Sequence, residues 1–167
     1  MGRLPAEPGR NLGGRDHGCA MFRGAFEHTM DDKGRLSIPS KYRELLEAHS
    51  EGQVVVTVDP DRCLAAYPMP EWEAIEQRLG EMSMLRREVR QLQRFLIGNA
   101  VECGLDKHGR ILVPNTLRTF AGLERDVVVA GQIKKFEIWD HQQWSQQQQQ
   151  SLDSMEGAME VLAELGL

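Results

Sequence analysis

Two short runs hold the side chains best able to do chemistry: Asp31-Asp32-Lys33-Gly34-Arg35 and Asp106-Lys107-His108-Gly109-Arg110. In each, an acid precedes an arginine by four positions, with a glycine just before the arginine. A guanidinium is a planar fork that meets guanine O6 and N7, or a phosphate, through two parallel hydrogen bonds. Asp31 and Asp106 are spaced to pair with Arg35 and Arg110 and to aim each fork. Lys33, Lys41 and Arg43 add positive charge around the first run. The second run has His108 and Thr116 at the places of Lys33 and Lys41, so the first is better equipped for a polyanion. The same Asp–Arg pairs could instead do no more than clamp a turn, and spacing alone leaves both readings open.

Enzymatic chemistry finds no foothold. The chain has no GxSxG, P-loop, GxGxxG or HExxH motif and no paired Cys/His metal spacing. Asp59-Pro60-Asp61 offers two acids, but Asp and Pro are turn formers. Cys19, Cys63 and Cys103 are odd in number and far apart, which suits reduced thiols in the cytoplasm rather than a disulfide framework. We expect no catalytic residue, no metal, no cofactor and no small-molecule substrate.

These residues need a scaffold, and the chain repeats itself to build one. Shifted by 75, Asp31 to Pro39 falls on Asp106 to Pro114, Phe22 to Glu27 falls on Ile97 to Glu102, and Arg43 falls on Arg118. After a small gap, Val54-Val55-Val56 meets Val127-Val128-Val129, and Tyr67 and Trp72 meet Trp139 and Trp144. The matches fall on Gly, Pro, Asp, Arg and alternating apolar positions, which set backbone shape and core face. Each copy predicts the same plan. A strand (25–29; 100–104) enters a turn whose Gly34 or Gly109 suits positive φ. A short strand with Leu36 and Ile38, or Ile111 and Val113, follows. Pro39-Ser40 and Pro114-Asn115 open a helix that buries Tyr42, Leu45 and Leu46, or Leu117, Phe120 and Ala121. A hairpin closes the unit. A module this small buries little alone, so the two copies are expected to bury their faces on each other as a pseudo-twofold pair. His28 and Cys103 are matched positions, expected as a core pair.

Outside the modules the reading is coarser. Residues 1–20 are rich in Gly, Pro and Arg and are expected to be a disordered extension, with Met21 as the true start. The modules span 25–71 and 100–143, with a helical connector at 72–99 and a polar, acidic helical tail at 144–167. In the connector, one helix from Glu71 to about Gly80 and another from about Met84 to Leu96 are expected. The second has Leu85, Val89, Leu92 and Leu96 as its apolar stripe and an arginine face opposite. In the tail, Met155, Met159, Leu162 and Leu165 form a weak stripe that either docks on a neighbour or frays.

Length and charge set limits. The 167 residues are 41% hydrophobic, enough for a core, and no apolar run approaches the roughly 18 residues of a membrane helix. The formal net charge of −5 disfavours nucleic acid. Its distribution is uneven: Asp140 to the C-terminus holds five acids and no Lys or Arg, while residues 21–139 hold 17 bases and 18 acids. A nearly neutral body can still present one basic face.

Four blocks in order resemble one family: Met21-Phe22-Arg23-Gly24-Ala25, Asp32-Lys33-Gly34-Arg35-Leu36-Ser37-Ile38-Pro39, Tyr67-Pro68-Met69-Pro70-Glu71-Trp72 and Lys135-Phe136-Glu137-Ile138-Trp139-Asp140. Together they are similar to MraZ, a family of bacterial transcriptional regulators, from Met21 to about Trp144. The resemblance implies an α+β, mainly β fold: tandem SpoVT-AbrB modules forming an intramolecular swapped-hairpin barrel with flanking helices. It implies sequence-specific binding of double-stranded promoter DNA at closely spaced, guanine-rich direct repeats. The promoter is that of the division and cell-wall gene cluster that includes the regulator's own gene. It further implies a ring homo-oligomer, cytoplasmic and nucleoid-associated. The family's Asp-x-x-x-Arg motif falls on Asp31 and Arg35 and on Asp106 and Arg110. DNA contacts are therefore expected from Arg35, Lys33, Lys41, Arg43 and Arg110. The competing expectation is a ring-forming interaction scaffold without specific DNA binding, in which the Asp–Arg pairs are structural.

Overall fold

The computed structural model describes residues 21–167; the expected disordered extension and the proposed start at Met21 concern residues 1–20, outside the described part. The first module runs β1 (Ala25–Thr29), β2 (Arg35–Ser37), α1 (Ser40–Ser50), β3 (Gln53–Val58) and β4 (Leu64–Pro68), then α2 (Met69–Gly80) and α3 (Arg87–Leu96). The second repeats the order: β5 (Val101–Gly104), β6 (Arg110–Leu112), α4 (Asn115–Ala121), β7 (Asp126–Gly131), β8 (Phe136–Asp140), α5 (His141–Asp153) and α6 (Met155–Glu164).

The two modules exchange strands. β1 pairs antiparallel with β7, Ala25 opposite Ala130, and β5 pairs with β3, Val54 opposite Cys103. β4 and β8 join the two hairpins, giving one six-stranded sheet in the order β1-β7-β8-β4-β3-β5. β2 and β6 form a separate two-stranded ribbon, Leu36 opposite Ile111. Neither module therefore owns its sheet, which answers the small burial each could achieve alone.

Two expectations are corrected. The strands do not close into a barrel: six-stranded sheet and ribbon stay separate among the described residues. The link from β1 to β2 is a single bridge, Met30 to Leu36, because the turn at Gly34 breaks the ladder and β2 is only three residues long. Nor is the fold mainly β. Helical residues outnumber strand residues, since connector and tail wind into four of the six helices of the described part. The protein is a mixed helix-and-sheet fold with antiparallel pairing throughout.

The main core lies where ribbon, sheet and the short helices meet. Leu36, Ile38, Leu46, Val54, Val56, Ile111, Val113, Val127, Val129 and Ile138 are all buried in it. Tyr42 of α1 stands at its aromatic end, with Phe22, Phe26 and Phe136 at centroid distances of 5.1 to 5.4 Å. Its hydroxyl faces the Gly24 carbonyl at 2.7 Å and the Arg23 carbonyl at 2.9 Å, tying α1 to the chain entering β1. A second, smaller cluster packs Trp139 and Trp144 around Cys63, Val128 and Ala130. The matched pair Tyr67–Trp72 lies 5.6 Å apart, close to the 5.8 Å of Trp139–Trp144.

The helix starts differ from expectation in detail. Pro39 and Pro114 occupy the capping positions themselves, and no side chain caps α1 or α4. α3 begins at Arg87, not near Met84. Ser83 Oγ accepts from the Leu85 N–H, making a turn, and Arg90 Nη1 donates to the Met84 and Leu85 carbonyls. Leu85 is consequently 91% exposed and Leu92 is exposed too; of the expected stripe Val89 is buried and Leu96 partly so.

Cys63 and Cys103 are free and buried. Burial pushes the Cys103 thiol up to about 11 and the Cys63 thiol up as well. In a Cys19→Ser background, neither thiol is expected to react with Ellman's reagent at pH 8 in the native state, and both should react at once in denaturant. Native-state labelling within minutes would mean this core opens far more readily than its packing implies.

Candidate nucleic-acid interface

The ribbon brings the two motif arginines together. Because β2 and β6 are antiparallel, Arg35 pairs in register with Leu112, and Arg110 with Ser37. Side chains alternate across a strand, so Leu36 and Ile111 face the core while Arg35, Ser37, Arg110 and Leu112 share the outer face. Leu112 is 57% exposed there. The pseudo-twofold thus sets one arginine from each module on one small surface, each preceded by its own glycine turn.

Each arginine is held from below. Asp31 Oδ1 accepts the backbone N–H groups of Lys33 (3.0 Å) and Arg35 (2.9 Å), and Oδ2 accepts Arg35 Nε at 2.6 Å. Asp106 repeats the set with His108 (2.8 Å), Arg110 N–H (3.0 Å) and Arg110 Nε (3.1 Å). These donors, the arginine N–H first, hold both carboxyls below their ordinary pKa. The aspartates engage Nε, so they fix the plane of each fork without occupying all its donors. Both arginine side chains remain 30–39% exposed.

The turns are locked by cross-packing between modules. Gly34 has φ +87° and Gly109 φ +73°. The Arg118 guanidinium of the second module covers Gly34, and the Arg43 guanidinium of the first covers Gly109. Backbone bonds run beside them: Ile38 N–H donates to the Gly109 carbonyl (3.0 Å) and Val113 N–H to that of Gly34 (2.8 Å). Arg43 and Arg118 each bury Nε without a hydrogen-bond partner among the described residues.

Of the residues singled out from sequence, Arg35 and Arg110 meet on the ribbon, Lys33 sits exposed on the adjoining turn, and Lys41 is exposed on the first turn of α1. Arg43 is half-buried against Gly109, a packing role that sequence alone did not reveal. A groove of about 470 Å³ lined by Asp31, Asp32, Arg35, Ser37 and Arg110 also takes in Arg125, which sequence reasoning missed. Arg125 follows α4 without a repeat match; the β1–β7 ladder that ends at Thr29 opposite Asp126, and the Met30 N–H bonded to its carbonyl at 2.8 Å, bring it here. His28 and Cys103 fall on β1 and β5, the two edges of the sheet, so the expected core pair does not form. Burial and Arg43 lower the His28 pKa. Cys103 Sγ instead faces the Leu112 carbonyl at 3.5 Å.

One metal-like cluster exists among the described residues. Asp59, Cys63 and Glu137 set their donor atoms within 4.8 Å of one another. Lys135 Nζ already faces them, 3.7 Å from Asp59 and 4.0 Å from Glu137, so an ammonium supplies the positive charge. Asp59 also accepts the Asp61 N–H at 2.9 Å, the turn role expected of this Asp-Pro-Asp run. No helix among the described residues is long and apolar enough to cross a membrane.

Fold and site define a class: a two-module protein with exchanged strands that presents paired, aspartate-aimed arginines on a short β-ribbon. Comparison with known proteins narrows it. The family described as "MraZ protein, putative antitoxin-like" matches twice, at residues 21–95 and 96–163. The Transcriptional regulator MraZ of Serratia proteamaculans (strain 568) is 48% identical over 145 residues, covering 86% of this chain and 95% of that protein. Those of Pectobacterium atrosepticum and Yersinia pestis (strain Pestoides F) are each 47% identical, with the same coverage. The chain belongs to the MraZ family. The relatives' name is that of a regulator, not of an enzyme. Both matches take in the helices after each hairpin, which the sequence reading set apart as connector and tail.

Proposed function

We propose that this chain is a sequence-specific, double-stranded-DNA-binding transcriptional regulator, acting in the cytoplasm on the nucleoid. The observation that carries the reading is the ribbon. Arg35 and Arg110, one from each module, share its outer face, and each has its Nε fixed by an aspartate while the rest of the fork stays accessible. A two-stranded ribbon can enter a major groove, where arginine reads guanine O6 and N7. Lys33 and Lys41 supply phosphate contacts beside it, and Arg43 acts through the Gly109 turn that it packs against. In the swapped-hairpin view of the fold, the strand exchange is what keeps the two arginines in register.

One ribbon reads few base pairs. Closely spaced, guanine-rich direct repeats read by a ring of identical subunits convert later contacts into intramolecular ones, raising avidity by about 10²–10⁴. The relatives' name supports regulation. The target in this reading lies upstream of the division and cell-wall gene cluster that includes the chain's own gene. The test is fluorescence anisotropy with the duplex upstream of that gene against a scrambled duplex, over a salt series. Tight binding to the native duplex alone, weakening with salt, is the expected result. Equal, weak binding to both duplexes would favour the interaction scaffold.

A further inference from the structure

The seven elements from β1 to α3 are matched one for one by those from β5 to α6, and one pair breaks the match. α3 is seated. Val89 is buried, Phe95 lies 6.2 Å from Phe120 of α4, and the Leu96 carbonyl accepts Thr57 Oγ1 at 2.7 Å. α6 buries no residue at all: Met155, Met159, Val161 and Leu162 are all exposed. The linkers explain the difference. Six residues, 81–86, separate α2 from α3 and let the chain turn back over β3. Only Ser154 separates α5 from α6, too little for α6 to fold back over β7 in the same way.

The repeat also shows where an α6 would sit. Leu45 of α1 corresponds to Phe120, the ring that receives Phe95. Beside Leu45 lies an open groove of about 490 Å³ lined by Met21, Arg23, Lys41, Tyr42, Leu45 and Ala48. Met21 is 52% exposed at its end. The faces of α6 suit this groove. At 100° per residue, Met155, Met159 and Leu162 form one apolar stripe, and Glu156, Glu160 and Glu164 form an acidic stripe next to it. The groove pairs an apolar floor with Arg23 and Lys41, against the single acid Glu44.

We propose that α6 of one copy docks in the α1 groove of a second copy, with Met159 and Leu162 on Leu45 and Ala48 and the acidic stripe toward Arg23 and Lys41. Donor and acceptor surfaces differ, so the contact is head-to-tail and propagates from copy to copy until it closes. The proposal deepens the ring assembly above by giving it a contact, and it does not rest on DNA recognition.

The experiment uses the full chain without DNA. Mass photometry and sedimentation velocity compare wild type with Met159→Glu/Leu162→Glu. Because α6 buries nothing in its own chain, this variant should keep the wild-type circular dichroism spectrum and fall to monomer where wild type assembles. In a Cys19→Ser background, Ala48→Cys/Leu162→Cys should give a ladder of cross-linked copies on oxidation, and neither single variant should. Unchanged assembly of the double-glutamate variant, a monomeric wild type, or cross-links confined to one chain would each overturn the proposal. An assembled wild type that ignores the native duplex would instead count against the DNA reading and leave this contact standing.

Discussion

Arg35→Ala should lower affinity for the native duplex at least tenfold while leaving the fold and the assembly intact. One good bidentate base contact is worth about 1–3 kcal/mol of discrimination, and in a multivalent assembly each subunit on the DNA loses it. The stability cost is small for two reasons. Arg35 lies on the outer face, and its ion pair with Asp31 is largely exposed, a setting where such pairs contribute little. Asp31 also keeps two backbone N–H donors after the guanidinium is gone, so the turn survives. Anisotropy and thermal melting on the same preparation check both halves. Loss of binding with an unchanged melting temperature identifies a reading residue; a large fall in melting temperature would return Arg35 to the structural role that spacing also allowed. Arg35→Lys sharpens the test, since lysine keeps the charge but not the fork. It should preserve the salt-dependent part of binding and lose preference for the native duplex.

The parts of this molecule that read well from sequence are those whose signal is local. Gly34 and Gly109 needed positive φ and have it. The Leu36/Ile38 and Ile111/Val113 alternation faced the core as expected. The repeat strengthened each such reading, because two copies had to agree at once. Strand pairing is different in kind. That β1 would join β7 rather than its own hairpin depends on which face each strand buries once both modules are present, and no residue in Ala25–Thr29 announces its partner. The expected barrel failed for the same reason, since three-residue strands after glycine turns carry too few hydrogen bonds to close a ladder.

The site shows the same division. Asp31 with Arg35 and Asp106 with Arg110 were legible because the four-residue spacing within a turn brings both side chains together locally. The packing of Arg43 on Gly109 was not, although the repeat match of Arg43 with Arg118 was visible. A matched arginine can stand on an outer surface or between modules, and only the exchanged strands decide which. Arg125 gave no signal at all, because backbone pairing of β1 and Met30 with the start of β7 carries it into the groove. The helical surplus was missed because the resemblance weights the modules, while connector and tail contribute most of the helix.

Gly34→Ala should be strongly destabilising, and the reason is the cross-packing itself. A Cβ at Gly34 would lie 2.6 Å from the Val113 carbonyl oxygen and 2.7 Å from Arg118 Nε. The first is backbone of the other module, already fixed by the bond from Val113 N–H to the Gly34 carbonyl, so it cannot step aside cheaply. The left-handed conformation adds about 1–2 kcal/mol for any residue with a Cβ, and forcing a methyl into packed space adds about 1–3 kcal/mol. For a protein of this size, that corresponds to a fall of about 10 °C in melting temperature. Gly157→Ala is the control: nothing lies within 4 Å of its added Cβ, and it sits inside α6, where alanine is the better helix former. It should leave the melting temperature unchanged or slightly raised. The two turns also differ in a way that tests the geometry. At Gly109 the three nearest atoms all belong to the Arg43 side chain. Gly109→Ala should therefore cost less than Gly34→Ala, and Arg43→Ala should restore part of that loss. If the two alanine variants melt alike and Arg43→Ala rescues nothing, the guanidiniums do not pack the turns as described, and the ribbon's arginines are held by their aspartates alone.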